Sequence, residues 1–102
     1  MFSIVYTTTK DEDEAKRIAY NLIEQKLAAC VNMHPIDSIY MWEGEVEEDR
    51  EIALSIKTTT CRVEAITECI KRMHSYDVPA IISWEIDGEK EYLEWMSDST
   101  NA

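Results

Sequence analysis

A chain of 102 residues holds one domain and hardly two, and it can bury a core without disulfide or metal staples. Hydrophobic residues at 45% and charged residues at 30%, with two Gly and two Pro, exclude disordered, collagen-like and linker-like classes. With 21 acidic against 10 basic residues the net charge is −11, which argues against nucleic acid and anionic membrane surfaces as partners and favours cations or plain solubility.

No apolar run approaches the ~18 residues of a membrane span. The stretch Met1–Tyr6 lacks a basic region and a long apolar run, so it reads as a strand rather than a signal peptide. Cys30, Cys61 and Cys69 are too few and too odd for a disulfide framework, and free thiols fit a reducing cytoplasm.

In chain order, residues 3–9 (SIVYTTT) are β-branched and aromatic and predict a strand. Thr9 followed by Glu12 matches a capping box, and acids at 11–14 suit a helix N-terminus. Ala15, Ile18, Ala19, Leu22 and Ile23 then recur at helical spacing, giving an amphipathic helix over about 11–26. Leu27–Met33 predicts a second strand. Pro35 marks a bulge or bend, after which 36–42 continues extended with Ser38, Tyr40 and Trp42 on one face. Gly44 and the acids to Glu51 predict a turn and a ragged strand edge, and 51–57 a third strand paired as a hairpin with the second.

Thr58–Thr60 opens a second helix with Val63, Ile66, Ile70 and Met73 on one face, ending near His74. Residues 80–86 form a fourth strand, Asp87-Gly88 a turn, and Tyr92–Met96 a short last helix with a polar tail. The Thr triplet at 7–9 returns at 58–60, each time between a strand and a helix. The order is therefore α+β, a ferredoxin-like split βαβ sandwich (β-α-β-β-α-β plus a short C-terminal helix) on an antiparallel sheet, a single domain over 1–102 with an ordered core at about 3–96. Both helices fall on one sheet face. The other face, carrying Tyr40, Trp42 and Trp84, needs a cover, which predicts a homo-oligomer joined sheet to sheet.

The chemistry-bearing residues form no self-contained catalytic motif. Cys30 and His34 are four residues apart in a strand, about 13 Å, and cannot share an ion. Cys61 and Cys69 are about 12 Å apart along a helix. No CxxC, HxH or HExxH spacing occurs, and no phosphate-cradling Gly-rich loop. Cys69, Met73 and His74 offer soft ligands suited to copper, set against a reading in which Met73 is core and His74 ends a helix. The acids 43–51 lack a calcium-loop pattern and read as a solvated hairpin guarding an edge strand. Lys57, in an apolar strand beside a helix start, suits either an anion or an ion pair.

Taken together, Lys26–Asn32, Ser38-x-Tyr40-x-Trp42-x-Gly44, Glu51 through Lys57-Thr58, His74-x-Tyr76-x-Val78-Pro79 and Tyr92-Leu93-x-Trp95 resemble the CutA family of divalent-cation tolerance proteins, in five ordered blocks over about residues 3–96. The resemblance implies a ferredoxin-like homotrimer similar in architecture to PII signalling proteins, a link to copper and other divalent-metal tolerance in bacteria, and anchoring of acetylcholinesterase in animals. It implies no settled enzymatic reaction and no required cofactor. Some bacterial relatives bind copper through a cysteine on the first strand and a histidine pair ending the second helix. Here those positions are Thr7 and Met73-His74, and Ser75 stands where a proline is usual. The first functional reading is thus a metal-responsive homotrimer with weak copper binding, His74 being its leading ligand. With Thr7 placed toward the far end of its strand from the end of the second helix, no complete site forms within one subunit. The second is a PII-like signalling or scaffold module with a small ligand or partner in an intersubunit cleft lined by Tyr40, Trp42, Lys57 and Tyr76.

Overall fold

Alternation of side chains builds the sheet. In β1 (Phe2–Thr9), Ser3, Val5, Thr7 and Thr9 are buried while the residues between them are half-exposed, so one face of the strand meets the core. The computed structural model describes residues 1–101. It continues with α1 (Glu12–Glu24), β2 (Cys30–Trp42), β3 (Glu45–Thr59), a 3₁₀ turn (Thr60–Arg62), α2 (Val63–Met73), β4 (Ile81–Ile86) and α3 (Lys90–Ser99). The strands lie in the order β2-β3-β1-β4 and every neighbouring pair is antiparallel, which is the split βαβ order.

Register decides which side chains share a face. Val5 pairs with Ile56 and Thr7 with Leu54, and these point to the helices. Ala15, Ile18 and Leu22 of α1 and Ile66, Cys69 and Ile70 of α2 close over them in one core cluster. Each fully buried aliphatic side chain there stabilises the fold by about 1.5–3 kcal/mol. The opposite face carries Ile4 and Tyr6 of β1, Ser55 and Lys57 of β3, and Ile82 and Trp84 of β4. Helix α3 reaches this face at one end, where Tyr92 contacts Lys57 and Thr100 lies 3.5 Å from Thr59.

Several local expectations are corrected. The cap of α1 is Asp11, whose carboxylate accepts from Glu14 N–H at 2.8 Å, while Thr9 faces the core and donates to the Ile52 carbonyl. Pro35 makes no bend: it sits in unbroken register opposite Ile52, tolerated because β2 is an edge strand with no neighbour on its outer side. The acidic run 45–51 is not a ragged edge but the first half of a 15-residue strand. Glu43 (φ 50) and Gly44 (φ 82) form the two-residue turn between β2 and β3, both left-handed as a tight hairpin requires. The last helix is longer than expected: α3 runs past Met96 to Ser99, and Thr100 after it is buried.

The hairpin outruns the sheet. Pairing of β1 with β3 stops at Thr9–Ile52, whereas β2 and β3 stay paired from Ile36–Glu51 to Trp42–Glu45. These residues form a two-stranded arm, and the molecule measures 46 × 23 × 20 Å.

Candidate functional site: a histidine clasp beside an aromatic groove

Helix α2 follows β3 back across the sheet, so it runs alongside β1 in the same sense, and both end at the same edge. His74 leaves the helix there in extended conformation, its own N–H still bonded to the Ile70 carbonyl at 2.9 Å. The Tyr76 amide donates to its Nδ1 at 3.0 Å. An amide only donates, so Nδ1 holds the lone pair, Nε2 carries the proton, and Nε2–H donates to the Thr8 carbonyl at 2.7 Å. The end of α2 therefore rests on the residue next to Thr7, which corrects the expectation that Thr7 lies toward the far end of its strand.

Glu14 joins the same knot and was not singled out by the sequence. It is fully buried. Its Oε1 accepts from Lys10 N–H at 3.1 Å and its Oε2 from Ser75 N–H at 2.7 Å. Burial pushes its carboxyl up, but the hydrogen bonds from Lys10 and Ser75 outweigh it and hold the group below the usual carboxylate range. The residues around His74 do not form a ready metal set. Both ring nitrogens are engaged, Cys69 Sγ lies 3.1 Å from Asn21 Oδ1 and 3.8 Å from Met73 Sδ, and Thr7 turns a buried hydroxyl without a partner into the core. Among the described residues no group of three or more His, Cys, Asp or Glu could hold a metal ion.

Beside the clasp, between the arm and the loop after α2, lies a groove of about 640 Å³. Tyr40 and Trp42 of the arm, Tyr6 of β1 and Tyr76 of the loop form its aromatic walls. Tyr76 stacks against His74 with ring centroids 4.7 Å apart and donates its hydroxyl to Glu51 Oε2 at 2.8 Å. Burial first, then that bond, raises the Tyr76 hydroxyl well above its usual range. Tyr40 donates to Asp49, and chiefly through that bond its hydroxyl is pushed up to about 12. The lining contains Glu51 and Asp77 and no Lys, Arg or His.

Three of the four residues expected in a cleft thus share one groove, and Lys57 lies outside it. Six residues from Glu51 along β3, about 20 Å, Lys57 donates to the Tyr92 hydroxyl at 3.2 Å and sits 5.3 Å from that ring's centroid. Among the described residues it forms no ion pair with a carboxylate. Glu51 was missed because it closes a run of acids. The signal was its parity with Ala53, Ser55 and Lys57, which places it on the same sheet face as Tyr6.

Residues 3–99 match the model of the CutA1 divalent ion tolerance protein family. The chain belongs to the CutA family. Similar CutA proteins include the divalent-cation tolerance protein CutA of Thermus thermophilus, 44% identical over 102 residues covering 98% of this chain and 99% of the relative. Another is the chloroplastic CutA 1 of Oryza sativa, 46% identical over 95% of this chain, which spans 56% of that relative's length. Among solved CutA structures, the periplasmic divalent cation tolerance protein CutA of Archaeoglobus fulgidus superposes with a TM-score of 0.97 at 40% identity, covering 99% of this chain and all of the other. The Thermus thermophilus structure gives 0.94 at 44% identity over 99% of this chain and all of its own.

Proposed function

We propose that this chain is the protomer of a cytoplasmic homotrimer that serves divalent-cation tolerance and binds copper-class ions weakly. CutA membership supports the ion-tolerance role, and the family is described by that role and not by a reaction. The observation that carries the assembly is the uncovered apolar surface of the arm and sheet. Ile39, Met41, Val46 and Trp42 on the arm and Ile82 on β4 are each more than half exposed. Surface of that extent is what subunit contacts cover. Three unbridged cysteines agree with a reducing compartment. No helix is long and apolar enough to cross a membrane.

His74 is the proposed ligand, and the clasp explains why affinity is low: an ion reaches Nδ1 only by displacing the Tyr76 amide. Light scattering should give three times the protomer mass, and a monomer at micromolar concentration would refute the assembly. Copper calorimetry should show weak binding that His74→Ala abolishes. Tight stoichiometric binding that survives the change would place the metal elsewhere.

The groove favours a second reading, a PII-like signalling or scaffold module whose ligand sits between subunits. Tyr40, Trp42 and Tyr76 supply one wall of such a cleft, and Lys57 joins it only from a neighbouring copy.

A further inference from the structure

Glu51 is only 7% exposed and lines the groove. Among the described residues its carboxylate accepts one hydrogen bond, from the Tyr76 hydroxyl to Oε2, and no Lys, Arg or His lies within salt-bridge distance. A carboxylate so far removed from water, with one oxygen unpaired, is costly unless a donor meets it, and a charged donor meets it best. Among the described residues the only fully buried side-chain oxygen without a partner is that of Thr7, so the free oxygen of Glu51 is not sealed in the core.

The walls around it include the aromatic side chains of Tyr6, Tyr40, Trp42 and Tyr76. Aromatic faces attract organic cations and repel none of their apolar body. The lining holds a second carboxylate, Asp77, and no basic residue, in a chain of net charge −11. Anionic ligands are therefore disfavoured. A bare divalent ion also fits poorly, because no third ligating group converges there.

We propose that the groove is a binding site for a small organic primary ammonium, its N–H groups donating to the free oxygen of Glu51 and its apolar body lying between Tyr40, Trp42 and Tyr76. The proposal rests on the part of the second reading in which Tyr40, Trp42 and Tyr76 hold a ligand, names that ligand's class, and takes Lys57 to stay on Tyr92 outside the groove. Binding forms no covalent bond and moves no proton.

The test is calorimetry of the intact assembly with phenethylammonium chloride and with its neutral isostere 2-phenylethanol. Saturable binding of the ammonium, at least about tenfold tighter than the alcohol, is the expected result, since a charged hydrogen bond contributes more than that factor. Glu51→Gln keeps an oxygen for Tyr76 and removes the charge, so it should abolish the preference. Equal binding of the two probes overturns the proposal, as does a preference that persists in Glu51→Gln. No saturable binding by the unsubstituted protein overturns it too, the result expected if Lys57 of a neighbouring copy already neutralises Glu51. Light scattering on the same sample separates the readings: ammonium binding by a protein that is not trimeric refutes the assembly alone, and a trimer without binding refutes this inference alone.

Discussion

At the scale of single residues, the knot around Glu14 bears most on stability. Its two oxygens each accept a backbone N–H, from Lys10 before α1 and from Ser75 after α2. Glu14→Gln turns one of these acceptors into a donor facing a donor. It should cost about 1–3 kcal/mol, measured by denaturant unfolding. The pH dependence has a defined sign. The folded carboxyl titrates below the unfolded value of about 4.3. Its contribution is therefore complete above that value and is lost as pH falls through the lower, folded one. Unfolding curves from pH 6 to pH 2 should show the loss in the parent and a flatter profile in Glu14→Gln. An unchanged acid limb would mean that other carboxylates control it. The partner Ser75 lies 61 positions away, so no local pattern could pair it with Glu14. His74 is different: Tyr76, Val78 and Pro79 made its helix-ending role legible, while the carbonyl it grips depends on how α2 lies against β1.

At the scale of elements, the periodic segments were legible and the charged ones were not. Ala15, Ile18 and Leu22 marked α1, and Ile66 and Ile70 marked α2, because burial against the sheet imposes a 3.6-residue repeat. Residues 45–50 carry no such mark. All but the half-buried Glu47 are exposed, so they are free to be acidic, and composition masks their strand conformation. The turn beside them is testable. At Gly44 (φ +82) nothing stands within 4 Å of an added Cβ, so Gly44→Ala meets only the left-handed backbone penalty of about 1–2 kcal/mol. A thermal melt should fall accordingly. Amide shifts of residues 40–47 should move while those of α1 stay fixed, and changes spread evenly over the core would contradict a purely local cost.

At the scale of the whole molecule, charge opposes assembly. A trimer would carry −33, three times the −11 of one chain, so apolar contact must outweigh the repulsion. Raising salt from 0.02 to 0.5 M shortens the screening length from roughly 20 Å to about 4 Å. The trimer should then persist to lower protein concentration by sedimentation or light scattering, and dissociation on adding salt would show ion pairs holding it instead. The aromatic face that suggests assembly was visible in the alternation of Tyr40 and Trp42. The length of the arm was not, because it follows from where β1 stops pairing.

The strand order also sets a schedule for synthesis. β1 leaves the ribosome first, yet its neighbours are β3 and β4, and its nearest partners lie 43 to 57 residues further along the chain. At 5–20 residues per second the apolar strand waits roughly 2–11 s before any edge exists to receive it. Helix α1 is synthesised within that interval, and in the fold its buried side chains pack in one cluster with Val5. The β2–β3 hairpin is joined by a two-residue turn, and such hairpins close in about 1–10 μs, far faster than residues are added. The nascent chain thus carries β1 unpaired while 43 to 57 further residues are added, and the acids that open α1 and lie along the arm are the kind of charged flank that opposes aggregation of an unpaired strand.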